Sequence, residues 1–104
     1  KGMTSVTAAS KTTYTAVASD QIVVDTAANP VTITLPSSPA VGDEVTIMDG
    51  SASNGFATNN CIIDRGGSNI EGAASNDTLA TNNQCVTLIY ANATKGWLYK
   101  STNQ

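Results

Sequence analysis

The stretch Pro30-Val-Thr-Ile-Thr-Leu-Pro36-Ser-Ser-Pro39-Ala-Val-Gly42-Asp-Glu-Val-Thr-Ile-Met-Asp49 decides the fold class of this chain. Apolar and polar residues alternate over residues 31–35 and again over residues 44–48. A period of two over such short runs is typical of half-buried β-strands. The prolines and the Gly42-Asp43 pair between the two runs favour a turn and oppose a helix. The stretch therefore predicts two strands joined by a loop.

The rest of the chain repeats this pattern of short β-forming runs separated by turn residues, and it shows no apolar stripe of helical spacing. It predicts an all-β chain of about eight short strands without substantial helix, arranged as a small antiparallel β-sandwich, either jelly-roll-like or a partly open barrel. We expect residues 1–10 to be an N-terminal arm or linker, able to pair with a neighbouring subunit, and residues 11–104 to form a single domain. The predicted core residues are Tyr14, Ile22, Val24, Val31, Ile33, Leu35, Val45, Ile47, Ile63, Ile70, Val86, Leu88, Tyr90 and Trp97.

Composition narrows the class of protein. The 104 residues are 40% hydrophobic but only 12% charged, about half the usual charged share, so Thr, Ser, Asn and Gln must supply the polar surface. Such a surface suits an extracellular or virion protein. The net charge is −3 and the five basic residues are scattered, which argues against nucleic-acid binding. No apolar run approaches the roughly 20 residues of a membrane span, so we expect no membrane insertion.

The first residue is not Met, so we expect a processed protein or a segment of a longer one. Catalytic motifs are missing from the sequence. It has no His, no nucleophile elbow and no phosphate-binding loop, so we expect no enzyme and no cofactor. Asp20, Asp43 and Asp49 stand at turns or strand ends, where Asx-type bonding to the backbone accounts for them better than a paired-carboxylate glycosidase site. A Ca²⁺ site from Asp43, Asp49 and loop carbonyls is physically possible, although the EF-hand spacing is missing.

Two cysteines, Cys61 and Cys85, leave two alternatives open. They either form one disulfide or remain two small buried apolar side chains. Their separation along the chain does not decide between these, because disulfides depend on geometry.

Two polar loops, residues 49–60 and 71–83, are the candidate contact surface, because long loops on β scaffolds carry most contacts. Each loop contains an Ala-Thr-Asn-Asn sequence that leads into a strand near a cysteine. The candidate contact residues are Asn54, Phe56, Asn59, Asn60, Asn76, Asn82 and Asn83.

The strand predicted over residues 84–90 has a second, partly apolar face, which indicates either a central strand or a strand whose outer side meets another subunit. The candidate oligomer-interface residues are Cys85, Thr87, Ile89, Trp97 and Tyr99. Tyrosine and tryptophan rings also suit sugar stacking, but a lone Trp in a terminal strand is more typical of a core or subunit contact.

The strand and turn residues resemble a β-module of tailed-bacteriophage virion proteins, found in tail-fibre and fibre-like proteins of marine and cyanobacterial phages. The resemblance covers roughly residues 11–100 and lies outside residues 1–10. It is carried by Tyr14…Asp20-x-Ile22-x-x-Asp25, Val31-Thr-Ile-Thr-Leu-Pro36, Gly42-Asp-x-Val-x-Ile-x-Asp49, Asn60…Ile63…Gly67-Ser-x-Ile70-x-Gly72, Val86-Thr-Leu-Ile-Tyr90 and Trp97.

The resemblance implies a structural or host-contact module on the virion surface, often trimeric, and it implies no catalytic residues. We therefore expect a tail-fibre or fibre-knob domain that forms a homo-oligomer, with a trimer favoured, and contacts other virion proteins and a host-surface glycan. The alternatives are a capsid decoration or head-fibre protein, a carbohydrate-binding module, and a filament subunit that uses residues 1–10 as a donated strand.

Overall fold

Nine β-strands form the regular structure of the described part of the chain. The computed structural model describes the backbone of residues 2–103 and the side chains of residues 2–101. No helix occurs in that part, so the all-β prediction is confirmed, and none of it forms a helix that could span a membrane. The strands are β1 (Met3–Thr7), β2 (Thr13–Thr15), β3 (Gln21–Asp25), β4 (Val31–Thr34), β5 (Glu44–Asp49), β6 (Cys61–Asp64), β7 (Asp77–Leu79), β8 (Cys85–Asn92) and β9 (Gly96–Asn103).

The strands form two sheets, and the chain changes sheet after each of the first five strands. One sheet has the order β1-β3-β5-β8-β9 and the other the order β2-β4-β6-β7. Neither sheet closes on itself, because β1 and β9 remain edges of the first and β2 and β7 edges of the second. The first six strands therefore wind through three successive turns, each with one strand in either sheet, and the last three strands complete the two sheets. We call this winding the coil.

The expectation of an antiparallel arrangement is wrong for this coil. The pairs β1–β3, β3–β5, β2–β4 and β4–β6 are parallel. The pairs β5–β8, β6–β7 and β8–β9 are antiparallel. A strand that returns after a crossing to the other sheet lies parallel to the strand two before it, whereas a hairpin reverses direction. Both arrangements have a side-chain period of two, so alternation alone does not separate them.

One core cluster contains side chains from both sheets. Of the predicted core residues, all are buried except Tyr14 and Tyr90, which are half-buried and pack against the cluster. The alternation over residues 31–35 and 44–48 thus identifies the inward face of β4 and β5 correctly. The buried hydrophobic residues that the prediction left out are Val6, Ala8, Ala16, Phe56, Cys61 and Leu79.

Residues 1–10 are not a separate arm in this structure. Strand β1 pairs with β3 over its full length, from Met3 beside Gln21 to Thr7 beside Asp25. The side chains of Val6 and Ala8 are buried in the shared core. The first strand therefore belongs to the domain, while the outer limits of the predicted arm and domain, Lys1 and Gln104, lie outside the described residues.

The burial of Val6 gives a direct test of this boundary. We expect Val6→Ala to lower the free energy of unfolding by about 2 kcal/mol, because it removes buried methyl groups and leaves a cavity. The matched control is Val17→Ala, since Val17 is 53% exposed and its truncation should cost less than about 0.5 kcal/mol. Urea unfolding, followed by tryptophan fluorescence, measures the free energy of unfolding of both variants. If both lose equally little, residues 1–10 are an arm and not part of the domain.

Candidate functional site

Two loops predicted as contact segments meet at one end of the coil. Strand β5 ends at Asp49 and β8 begins at Cys85, and these antiparallel strands pair Met48 with Cys85. Strands β6 and β7 pair Cys61 with Leu79. The connections 50–60 and 80–84 therefore both cross between the sheets at this end, and we name residues 49–60 and 80–84 together the Asp49 loop cluster.

The carboxylate of Asp49 holds the cluster together. Its Oδ1 accepts a hydrogen bond from the backbone N–H of Ser51 at 3.0 Å. Its Oδ2 accepts from the N–H of Phe56 at 3.1 Å and from the N–H of Asn83 at 3.0 Å. The backbone N–H of Asp49 in turn donates to the carbonyl of Gln84. One side chain thus fixes both loops and the distance between them.

Close packing around Gly55 adds to this fixation. Asn82 Oδ1 accepts a hydrogen bond from the N–H of Ala57 at 3.0 Å. A Cβ atom at Gly55 would clash with Asp49 Oδ2 and lie 2.7 Å from Asn82 Oδ1. Only glycine therefore lets the first loop approach the second this closely.

The asparagines of the cluster divide into outward and inward side chains. Asn54, Asn82 and Asn83 are exposed. Asn54 and Asn83 have φ angles of 50° and 64°, a left-handed conformation that Asn tolerates better than most residues. Asn60 is half-buried. Asn59 is half-buried too, and its Nδ2 donates to the carbonyl oxygens of Thr26 and Ala27, so it braces a neighbouring loop.

Two of the candidate contact residues lie elsewhere. Phe56 is fully buried in the core, because it is the one large apolar side chain with which its long loop can anchor, and it offers nothing to a partner. Asn76 lies at the opposite end of the coil, where its Oδ1 accepts from the N–H of Arg65. The predicted loop 71–83 is in fact divided by β7, and only its second part, 80–83, joins the cluster.

The three N–H donors also change the acidity of Asp49. Burial alone would raise its pKa, but the hydrogen bonds from Ser51, Phe56 and Asn83 outweigh burial and hold the pKa below the ordinary value of 3.8. A lowered pKa in the folded state stabilises the fold above the unfolded pKa. That stabilisation is lost as the pH falls through the folded pKa.

We expect Asp49→Asn to lower the free energy of unfolding by about 2 kcal/mol at neutral pH, because charge-assisted hydrogen bonds to the backbone weaken. The difference from wild type should narrow as the pH falls from about 5 to about 2, where the wild-type carboxylate takes up its proton. The matched control is Asp43→Asn, at the other end of β5, where the side chain accepts from one N–H, that of Ala40. If the difference in unfolding free energy between Asp49→Asn and wild type does not change with pH, the Asp49 carboxylate is not the common acceptor that holds the loop cluster.

The predicted interface residues fall on both faces of the five-stranded sheet. Cys85, Thr87 and Ile89 lie half-buried on the outer face, where Thr87 Oγ1 is 2.9 Å from Thr46 Oγ1. Trp97 has the opposite position: it is fully buried and meets Tyr90 edge-on at a centroid distance of 5.6 Å. It is therefore a core residue of the single chain and is not accessible to a subunit interface.

Tyr99 joins the two sheets at their open side. Its ring is half-buried against the core, and its hydroxyl donates a short hydrogen bond to Asp77 Oδ2 on β7 of the other sheet. Its backbone N–H donates to Glu71 Oε2 at 3.0 Å. Burial first, and then the hydrogen bond and negative charge of Asp77, raise the pKa of Tyr99 far above its ordinary value of 10.0.

We expect Tyr99→Phe to lower the free energy of unfolding by about 1–2 kcal/mol, because it breaks the bond between the sheets and deprives Asp77 Oδ2 of its donor. In the wild type the folded chain retains a proton that the unfolded chain releases, so stability should fall above about pH 10. The fall should be shallower in Tyr99→Phe and in Asp77→Asn, measured by urea unfolding between about pH 8 and 11. An unchanged slope in both variants would argue against this coupling.

Carboxylates also collect at the opposite end of the coil. A groove of about 390 Å³ is lined there by Asp20, Asp43 and Glu44. Asp20 is buried and accepts from Tyr14 OH and from the N–H of Val17, both at 2.9 Å. Glu44 pairs with Lys100 at 2.9 Å. The bond from the N–H of Val17 is the turn bonding that the sequence predicts for Asp20, whereas the bonds of Asp20 to Tyr14 and of Glu44 to Lys100 are contacts that it did not predict.

The calcium hypothesis does not survive this placement. Asp43 precedes β5 and Asp49 ends it, so six residues of extended chain, about 20 Å, separate the two carboxylates. Among the described residues no cluster of three or more acidic or cysteine side chains could hold a metal ion.

The alternative left open for the cysteines is resolved in favour of free thiols. Cys61 is buried on the inner face of β6, and Cys85 is half-buried on β8. Burial, with a smaller contribution from the charge of Asp49, raises the pKa of Cys61 to about 12. The Cys61 thiol therefore stays protonated at neutral pH.

No protein-family model and no curated protein matches this chain.

Proposed function

We propose that this chain is a structural module displayed on the surface of a tailed-phage virion, as a tail-fibre or fibre-knob domain that contacts the host through the Asp49 loop cluster. The observation that supports it is the convergence of the two predicted contact loops on one carboxylate. Exposed amides held on a strand framework form a rigid, neutral surface. Such a surface suits weak polar contacts that gain strength when many copies bind together.

A homo-oligomer, with a trimer favoured, is part of the proposal. The outer face of the five-stranded sheet supports it, because Val23, Met48 and Cys85 lie side by side on three neighbouring strands and are each half-buried. This row of apolar side chains is the place where a second copy, or another virion protein, would pack. Light scattering of the purified chain measures the mass.

The alternatives have unequal support. A capsid decoration or head-fibre protein needs the same surface, and labelling of intact particles with antibodies against the chain distinguishes head from tail. A filament subunit that donates residues 1–10 loses its basis, because Met3–Thr7 already pairs within its own sheet. A carbohydrate-binding module would need a sugar site, and the candidate is a groove between β7 and strands β8 and β9.

The test of host contact uses Asn54→Gly with Asn83→Gly in particles that carry the chain. Glycine removes each amide yet accepts the left-handed backbone, so the loops should keep their shape. We expect adsorption to host cells to slow by about tenfold or more, because each particle loses two contacts in every copy. The matched control is Ser19→Gly, which also introduces glycine at a left-handed position, with φ 73°. Ser19 lies at the opposite end of the coil, so this variant should leave adsorption unchanged. Unchanged adsorption in the double variant would remove the cluster from the contact surface.

A further inference from the structure

A second surface feature adjoins the Asp49 loop cluster, with which it shares Ala80, Thr81 and Gln84, at the open side between the two sheets. A groove of about 350 Å³ runs between β7 of one sheet and β8 and β9 of the other. Leu79 and Val86, both buried, form its apolar floor, and the half-buried ring of Tyr99 lines it as well. Its volume is at the lower end of the range of about 300–1000 Å³ for ligand sites, so it suits one small ligand.

The polar groups of the groove are held in place by the fold. Asp77 accepts from Tyr99 OH and from the N–H of Thr78, which fixes the direction of its carboxylate. Gln84 is only 7% exposed, and its Oε1 accepts from the N–H of Thr81 at 3.2 Å. Its Nε2 makes no hydrogen bond to any described residue although Gln84 lines the groove. Among the described residues, Trp97 Nε1 is the one buried side-chain nitrogen or oxygen without a partner, so Gln84 Nε2 reaches solvent in the groove, where a ligand acceptor can take the place of water.

The chemistry of the lining selects a ligand class. Carboxylate oxygens accept, an amide donates, and the hydroxyl of Thr81 does both. A ligand with several hydroxyl groups and one apolar face matches this set, with its apolar face on the ring of Tyr99. Among the described residues no basic side chain lines the groove and Asp77 does, so an anionic ligand would meet repulsion without compensation.

We propose that this groove binds one neutral sugar unit, with Gln84 Nε2 donating to a sugar oxygen and Asp77 and Thr81 bonding to sugar hydroxyls. The biological role of this site rests on the proposed function, because it is a displayed module that meets host glycans. The binding itself stands on the groove. Since the groove is open and small, a single unit binds with a millimolar dissociation constant, and affinity for a surface comes from many copies.

The experiment titrates the purified, isotope-labelled chain with sugars and follows its NMR spectrum. The neutral probes are methyl β-galactoside, methyl α-glucoside and N-acetylglucosamine, and the anionic probes are glucuronate and N-acetylneuraminate. We expect saturable shifts of the Gln84 side-chain amide and of residues around Tyr99 with at least one neutral sugar. We expect neither anionic sugar to bind as tightly.

Two variants and a control locate the site. Gln84→Leu keeps the volume but loses the amide, and should weaken binding by about tenfold. Thr81→Ala, in the loop between β7 and β8, should weaken it by about threefold. Ser38→Ala, exposed and outside both the groove and the Asp49 loop cluster, should leave the dissociation constant unchanged.

Several results would overturn the inference: no saturable shift with any neutral sugar, equal binding of glucuronate, or wild-type affinity in both groove variants. Its failure is distinguishable from failure of the proposed function. Slower adsorption of the Asn54→Gly, Asn83→Gly particles without sugar binding removes the groove and keeps the contact surface. Sugar binding with unchanged adsorption supports the groove and removes the exposed amides of Asn54 and Asn83 from the contact surface.

Discussion

The structure depends on the burial of one face of every strand in a core that two sheets share. A strand of three to six residues buries too little apolar surface to be stable by itself, so each one needs an opposite sheet. The chain meets this requirement by crossing to the other sheet after each of its first five strands. Parallel pairing within each sheet, and the gathering of the connections at two ends, are both consequences of that crossing. The positions of the loop cluster and of the groove therefore follow from the core.

Hydrogen-bonded polar groups close the open sides of this core. A tyrosine–aspartate pair lies at each side: Tyr14 with Asp20 beside the first turn of the coil, and Tyr99 with Asp77 beside the last strands. In both, the ring packs on the core while the hydroxyl reaches a carboxylate, so apolar burial and hydrogen bonding act at the same residue. Tyr99 with Asp77 spans the two sheets directly, and the side groove lies where that bridge leaves space.

The sequence predicted much of the fold because alternation reports which residues face inward. It identified β4, β5 and β8 closely, and nearly the whole core. It did not report strand direction, since parallel and antiparallel strands share the same period. It missed β1 because Thr, Ser and Ala dominate residues 1–10, and on the inward face Val6 has only the small Ala8 beside it, too little to make a pattern. It placed Trp97 ambiguously, since an aromatic residue near a terminus fits both a core and an interface.

The candidate site was predictable in its parts and not in its assembly. Matching Asn pairs made loops 49–60 and 71–83 one candidate surface, and of the second loop only residues 80–83 lie beside the first. Nothing local marks Asp49 as their centre, because two of its three donors lie well along the chain, Phe56 by 7 residues and Asn83 by 34. The same limit applies to Gln84, whose unpaired amide matters only once β7, β8 and β9 enclose a groove around it. Long-range hydrogen bonds are properties of the folded chain, and only turn chemistry within a few residues is readable beforehand.

Because this surface carries few charges, short polar side chains, and not ion pairs, hold its loops rigid. The loops are fixed by short side chains that bond to nearby or facing backbone groups, as Asp49, Asn59 and Asn82 do, and long flexible ion pairs contribute little there. Short side chains lose less conformational entropy when they are ordered, and bonds to backbone N–H groups are screened by salt less than exposed ion pairs are. A surface built in this way keeps its shape across salt concentrations. A module that binds weakly through many copies needs that constancy, because avidity multiplies only contacts that every copy presents in the same geometry.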